Sequence, residues 1–298
     1  MSDSNNTASL DQLNIEAATT AKKYMANFAW LTVLFVMAIV GCFILNLTAF
    51  IQGLIPFWLA TINLAILTYF AYTPLHEAVH GNIHGKHSKW KWLNELCGFA
   101  VAPLIALSFT SHRYEHFAHH GFINQPGKDP DLIVKGMEKG YLYIFPYSLK
   151  FLWLQNQYFV SHHWSNVNQK KRLTYLAEVI FSLGWRVTLL VLFPSWELAF
   201  VIIIGFFAGG MFTAYWFAFR PHHPNDDQAR YTNTTSLIMP KWMKPFEWFW
   251  LGQNLHPVHH LFPRVPFYLY HRVHREIMPV MKAHGTPMVG IFDGLPKD

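Results

Sequence analysis

Charge is scarce in this sequence: only 13% of its 298 residues are Asp, Glu, Lys or Arg, about half the share of an ordinary soluble domain. So little charge excludes a water-exposed globular surface of the usual kind. With 52% hydrophobic and 17% aromatic residues, the deficit points to the bilayer. Cysteine is nearly absent. Cys42 lies in an apolar run and Cys97 stands alone, which excludes a CxxC pair, a disulfide framework and thiolate metal chemistry. The N-terminus lacks a basic start and a small-residue cleavage site; it opens instead with Ser2, Asp3, Ser4 and Asn5 and carries Asp11 and Glu16, unlike a signal peptide. Residues 1–27 are therefore expected to remain as a flexible tail. Nor does the net charge of +6 come from one basic tract or a known nucleic-acid motif, so nucleic acid is not an expected partner. A basic face beside anionic lipid accounts for the charge.

What the sequence does have is long apolar runs. Phe28 to Phe50 is interrupted only by Thr32, Asn46 and Thr48, long enough as a helix to cross a hydrocarbon core. Leu54 to about Pro74 follows after a turn at Gln52 and Gly53 too short for anything but a hairpin. Leu173 to Phe193 and Trp196 to Phe219 form a second hairpin around Pro194 and Ser195. Glu178 and Arg186 lie within its first member, and ionisable groups inside a span are functional suspects. Ala100 to Phe109 is too short to cross, and Tyr141 to Val160 mixes Lys150, Gln155, Asn156 and Gln157 with aromatic residues; both read as interfacial or re-entrant helices. The expected fold is all-α and integral to the membrane: four spans in two hairpins over residues 28–270, interfacial helices, and a histidine-rich cap. Residues 271–298 are expected to form a C-terminal tail.

On this map the two outer turns contain no Lys or Arg, and every basic residue except Arg186 falls on the opposite side. The positive-inside rule makes that side cytosolic, with both termini, and the expected location is a bacterial inner membrane.

The 18 histidines are bunched, and the bunches lie on that same side. His76-Glu77-Ala78-Val79-His80 comes directly after the second span; a gap of four in a helix puts both imidazoles on one face. His116-Phe117-Ala118-His119-His120 and His256-Pro257-Val258-His259-His260 repeat one spacing, HxxHH, and Pro257 suits a first helical turn. Eight imidazoles so grouped would repel on protonation and leave buried donors unpaired unless they hold metal. They exceed what one tetrahedral ion can use, which argues for two metals. Imidazole suits iron, copper, nickel and zinc; iron is favoured because apolar C–H bonds need an oxidant, which non-haem iron with oxygen supplies. Isolated His84, His87, His271, His274 and His284 read as polar interfacial residues.

HEAVH also satisfies HExxH, the zinc-protease pattern. A protease would leave both HxxHH clusters without a purpose, so Glu77 is read instead as a group orienting an imidazole. A transporter would place its polar groups near the bilayer midplane, whereas these histidines sit at span ends.

HxxxH, then HxxHH, then a late HxxHH, over roughly residues 70–270, resembles the membrane fatty acid desaturase superfamily. Glu115 to Asp131 (EHFAHHGFINQPGKDPD), Gln253 to Pro263 (QNLHPVHHLFP) and Arg220-Pro221-His222-His223-Pro224 look most like carotenoid hydroxylases and ketolases. The resemblance implies two iron ions held by the eight box histidines, His76, His80, His116, His119, His120, His256, His259 and His260, with His222 as a ninth ligand. His112 and His84 continue the helical stripes of His116 and His80 and are possible further ligands, His162 and His163 match no box, and Asp129 and Asp131 are expected to orient histidines. Glu77 and His223 depart from the ketolase pattern, which has aspartate and arginine there. The implied reaction reduces oxygen at the irons and removes hydrogen from an unactivated carbon, ending in hydroxylation or desaturation of a long lipid. Carotenoid-ring hydroxylation fits best, and acyl desaturation is the alternative. No flavin, nicotinamide or iron–sulfur motif is present, so electrons are expected from a separate ferredoxin, rubredoxin or cytochrome-type donor.

The charge asymmetry makes the topology testable. Single cysteines introduced at Gln52 and Ser195 are expected to react with an impermeant maleimide on intact cells, and one at Lys128 only after lysis. Labelling of Lys128→Cys from outside would invert the map.

Overall fold

The computed structural model describes residues 3–224 and 226–294. Its helices are α1 (Asp3–Met25), α2 (Trp30–Ile51), α3 (Phe57–His80), α4 (Lys91–Val101), α5 (Phe109–Phe122), α6 (Ile144–His162), α7 (Gln169–Leu192), α8 (Trp196–Thr213), α9 (His256–Leu261) and α10 (Tyr270–Ala283). The strands β1 (Ser236–Ile238) and β2 (Met288–Gly290) form one short parallel pair.

Four helices are long and apolar enough to cross a membrane: α2, α3, α7, and α8 with its continuation to His222. The expected four spans are thus present, but two run on into the site. Helix α3 passes through Pro74 and carries HEAVH in its last turns. A proline can be tolerated within such a helix because a membrane bundle offers several ways to re-satisfy the freed backbone. Gly81 ends the helix in the left-handed region, at φ 71°, with its N–H directed to the Ala78 and Glu77 carbonyls. Helix α8 continues as a π-helical turn, Ala214–Phe219, and a 3-10 turn, Arg220–His222.

The crossing of α3 and α8 is the centre of the bundle. At Gly209 an added Cβ would lie 2.4 Å from the Ala65 carbonyl, and at Gly205 it would meet Leu64 at 2.8 Å. Small residues let backbones approach this closely where no hydrophobic effect drives helices together.

Helix α7 is nearly all lipid-facing, with only Ser182 buried. The two charged residues within its apolar stretch, Glu178 and Arg186, point inward. Glu178 accepts from Thr110 N (2.9 Å), Thr110 Oγ1 (2.6 Å) and Ser108 Oγ. Arg186 donates to the carbonyls of Pro103 (2.9 Å), Leu104 (3.2 Å) and Ser182 (2.6 Å). Together they hold the 97° bend between the stretch ending at Ile105 and α5. The apolar stretch 100–109 therefore forms the sharp bend between two helices.

Both expected tails are packed. In α1, Ala17 and Ala21 are buried against Val273, Ile277 and Val280 of α10, and Tyr24 donates to Glu276 at 2.6 Å. The signal was a stripe of alanines four apart, too weakly hydrophobic to register as a core face. Residues 271–294 are held by α10 and by pairing of β2 with β1; residues 1–2 and 295–298 lie outside the described residues.

Glu178→Ala removes three hydrogen bonds to a carboxylate and leaves their donors unpaired. The expected cost is about 3 kcal/mol, or a midpoint roughly 10 °C lower in detergent. An unchanged midpoint by differential scanning would refute this role.

Candidate metal centre

Four elements deliver imidazoles to one place. The last turn of α3 supplies His76 and His80, α5 supplies His116, His119 and His120, and α9 supplies His256, His259 and His260. The 3-10 turn after the π-helical segment supplies His222. Ser108 caps α5 by accepting from Ser111 N, and Pro257 sits in the first turn of α9 as its spacing requires. The π-helical turn is braced by Arg220, a buried guanidinium that donates to the carbonyls of Ile291 (2.9 Å), Asp293 (2.6 Å) and Gly294 (3.0 Å). The C-terminal segment thereby fixes the register from which His222 projects.

The nine histidines fall into two groups. His76, His80, His116, His120 and His259 each offer a ring nitrogen within 4.8 Å of all the others, and so do His119, His222 and His260. His256 joins the second group, with its Nε2 3.1 Å from His260 Nε2 and its ring 4.9 Å from that of His222.

The nitrogens share partners in a way that a neutral histidine core cannot fully satisfy. His116 Nε2 lies 2.9 Å from His80 Nε2 and 3.1 Å from His120 Nε2, which is also 2.8 Å from His259 Nε2. Each imidazole nitrogen has one in-plane position, occupied by a proton or by a lone pair. One such position cannot serve two neighbours well. A cation at the point of convergence collects the lone pairs instead, so the donor set fits imidazole-bound metal. Burial also favours the unprotonated form: it pushes His256 down to about 3.

His119 is the exception. Burial lowers it, but Asp129 and Asp131 outweigh burial and bring it to about 9. Its Nδ1 lies 2.9 Å from Asp129 Oδ1 and 3.8 Å from Asp131 Oδ2, leaving Nε2 for the centre. Asp129 is itself fixed by the N–H groups of Asn124 (2.8 Å) and Asp131 (2.9 Å). Orientation of a ligating imidazole through its far nitrogen is a general device, and His259 has the same support from Tyr270 Oη, 3.2 Å from its Nδ1.

The remaining candidates separate cleanly. Glu77 does not orient an imidazole: its carboxylate accepts from Asn82 Nδ2 (2.9 Å), Phe267 N (3.0 Å) and Thr32 Oγ1 (3.2 Å), tying α3 to α2 and the loop before α10. This arrangement also removes it from the general-base position of a zinc protease. His112 is buried 3.2 Å from Glu115 and outside both groups. His84 contacts the Gly85 carbonyl, His162 and His163 lie against Tyr158 and Tyr114, and His223 pairs with Glu138. Two neighbours of the centre went unread in the sequence. Tyr270 carries no pattern that announces it. Tyr72, stacked on His76 at 5.8 Å, was legible in principle, one helical turn before the first box.

The fatty acid desaturase family pattern matches residues 52–292, which takes in all nine histidines. The chain is also similar to a Delta(5) fatty acid desaturase of Caenorhabditis elegans, 23% identical over 262 residues that cover 75% of this chain and 58% of the relative. It thus spans under two-thirds of that relative's length. With the box spacing, the four apolar helices and the convergent imidazoles in agreement, the chain belongs to the fatty acid desaturase family.

Proposed function

We propose that this protein uses O2 and two non-haem irons to oxidise unactivated C–H bonds in the acyl chain of a membrane lipid. The observation that carries the reading is the convergence of nine imidazoles into two adjacent groups at the end of an apolar bundle. Five histidines, His76, His80, His116, His120 and His259, would hold one iron; His119, His222, His256 and His260 would hold the other. When bound, the irons supply the oxidant for the C–H bond, with electrons from an external ferredoxin, rubredoxin or cytochrome-type donor. Among the chain's own residues, Asp129 keeps the His119 Nδ1 proton in place, so that Nε2 faces inward, and Tyr270 does the same for His259. The metal face and both termini would lie in the cytosol, where reductants are.

The carotenoid reading rested on the DPD segment and the Pro-His element. Asp129 and Asp131 flank His119 and His222 lies among the box histidines, so a metal-holding role would account for both the Asp129-Pro130-Asp131 and Pro221-His222 motifs without a ring substrate. Similarity to an acyl desaturase then favours an acyl chain, with desaturation ahead of hydroxylation.

Purified protein should contain up to two irons, and His76→Ala, His119→Ala or His259→Ala should each abolish turnover. One zinc and no iron by elemental analysis would sink the proposal. Asp129→Ala should weaken retention of metal by about 10–100-fold, measured by dialysis against chelator. Substrate is resolved by expression in a host that makes β-carotene, with mass analysis of lipids and pigments. New acyl double bonds with unchanged pigment are expected, whereas oxygenated pigment with unchanged acyl chains would restore carotenoid hydroxylation.

A further inference from the structure

Two spaces of opposite character approach the imidazoles. One is a cleft of about 20 Å³ that ends on His119 and His222 and is walled by Asp129, Lys135, Glu138 and Asp226. Hydrocarbon entering there would strip water from charged groups. The other lies within the bundle. A void of about 10 Å³ is lined by Thr68, Tyr72, Leu107, Gln155 and Thr213, room for about one water. Thr68, Tyr72 and His76 are spaced by four on α3, so the void lies on the helical stripe that leads to the metal centre. Tyr72 forms its roof, 5.8 Å from the His76 ring and 5.5 Å from that of His112.

The void is not ordinary packing. Thr68 Oγ1 and Gln155 Nε2 are both buried in it without a hydrogen-bond partner among the described residues, although buried polar groups are nearly always paired. Leu107 separates it from a larger space of about 360 Å³ between α6 and α7, walled by Trp153, Val160, Val179 and Leu183. Trp153 and Leu183 are 67% and 57% exposed, so this space opens toward the bilayer.

Leu107 stands on a turn that both walls control. Asn156 of α6 donates to the Ala106 carbonyl (3.0 Å) and accepts from Ser108 N (3.2 Å), while Glu178 of α7 accepts from Ser108 Oγ. Ala106 is held in the left-handed region, at φ 52°, a conformation that persists only where surroundings enforce it. Parting α6 from α7 would move the turn and, with it, Leu107.

We propose that the substrate reaches the metal centre sideways from the bilayer, between α6 and α7, and that Leu107 gates the passage from this port to the void under Tyr72. The occupant is the hydrocarbon chain of a membrane lipid, and in this the inference rests on the oxidase reading above. Leu107 acts by admitting and positioning the chain.

The test is photolabelling of the iron-loaded protein in vesicles of phosphatidylcholine with a diazirine on one acyl chain, which needs no turnover. Adducts are expected on α6 and α7 at the port and on α3 between Thr68 and Tyr72. Leu107→Trp should reduce the α3 adduct by about tenfold by overfilling the gate, with port adducts and bound iron unchanged. Leu107→Ala, which only removes bulk, should raise the α3 adduct. An α3 adduct unaffected by both variants, or adducts confined to the Lys135–Glu138 wall, would overturn the proposal. Labelling through the port without lipid product would instead count against the oxidase reading alone.

Discussion

Everything else in this structure follows from one electrostatic constraint: many imidazole lone pairs must face each other where water is excluded. Nitrogens that share neighbours at 2.8 to 3.1 Å cannot all be paired by their own protons, and a cation would collect the remaining lone pairs. No single helix can present nine such groups. The chain therefore brings together the last turns of a long apolar helix, the helix that follows a sharp bend, a 3-10 turn after a π-helical segment and a short helix that begins at His256-Pro257. Each of these departs from the plainest membrane geometry, and each departure is braced from elsewhere. Gly81 stops α3 at the box, Arg220 anchors the π-helical turn to the C-terminal segment, and Glu77 ties the first box to the loop that leads into α10.

The bracing explains the polar groups that seem out of place in an apolar bundle. Glu178 and Arg186 are costly inside a span, yet neither contacts the imidazole cluster. Both satisfy backbone or hydroxyl groups freed where the bend breaks its helices. Non-helical backbone at membrane depth survives only when protein supplies such partners. Because the turn precedes α5, a fault there would reach His116, His119 and His120 through the helix they share.

The histidine positions and the four spans were legible because each is a local signal. Imidazoles at i, i+3 and i+4 declare a shared helical face, and a 20-residue apolar run declares a crossing. Three kinds of feature were not legible. Ala17 and Ala21 form a packing stripe with almost no hydropathy, so α1 read as a tail. Glu77 sat inside a motif that suggested imidazole or zinc chemistry, whereas its partners Thr32 and Phe267 come from 45 residues before and 190 residues after it. Tyr270 meets His259 only after the chain turns between α9 and α10, which no spacing rule encodes. Span ends failed for a related reason: Pro74 marks a break in soluble helices, but bundle neighbours let α3 continue to His80.

The two faces of the centre divide the chemistry by solvent. The side bearing His119 and His222 is lined with carboxylates and a lysine, a polar wall suited to water. The side bearing His76 and Tyr72 looks into an apolar bundle with isolated polar groups. On the proposed reading, an enzyme that joins electrons to hydrocarbon would have to receive both without letting water follow the lipid. The Tyr72 ring, packed between the void and His76, is well placed to make that separation, since a phenol is apolar over its face and polar only at its rim. The metal centre then stands at a boundary between two solvents. That position, more than any residue that touches the substrate, is why helices that end at the membrane surface build this site.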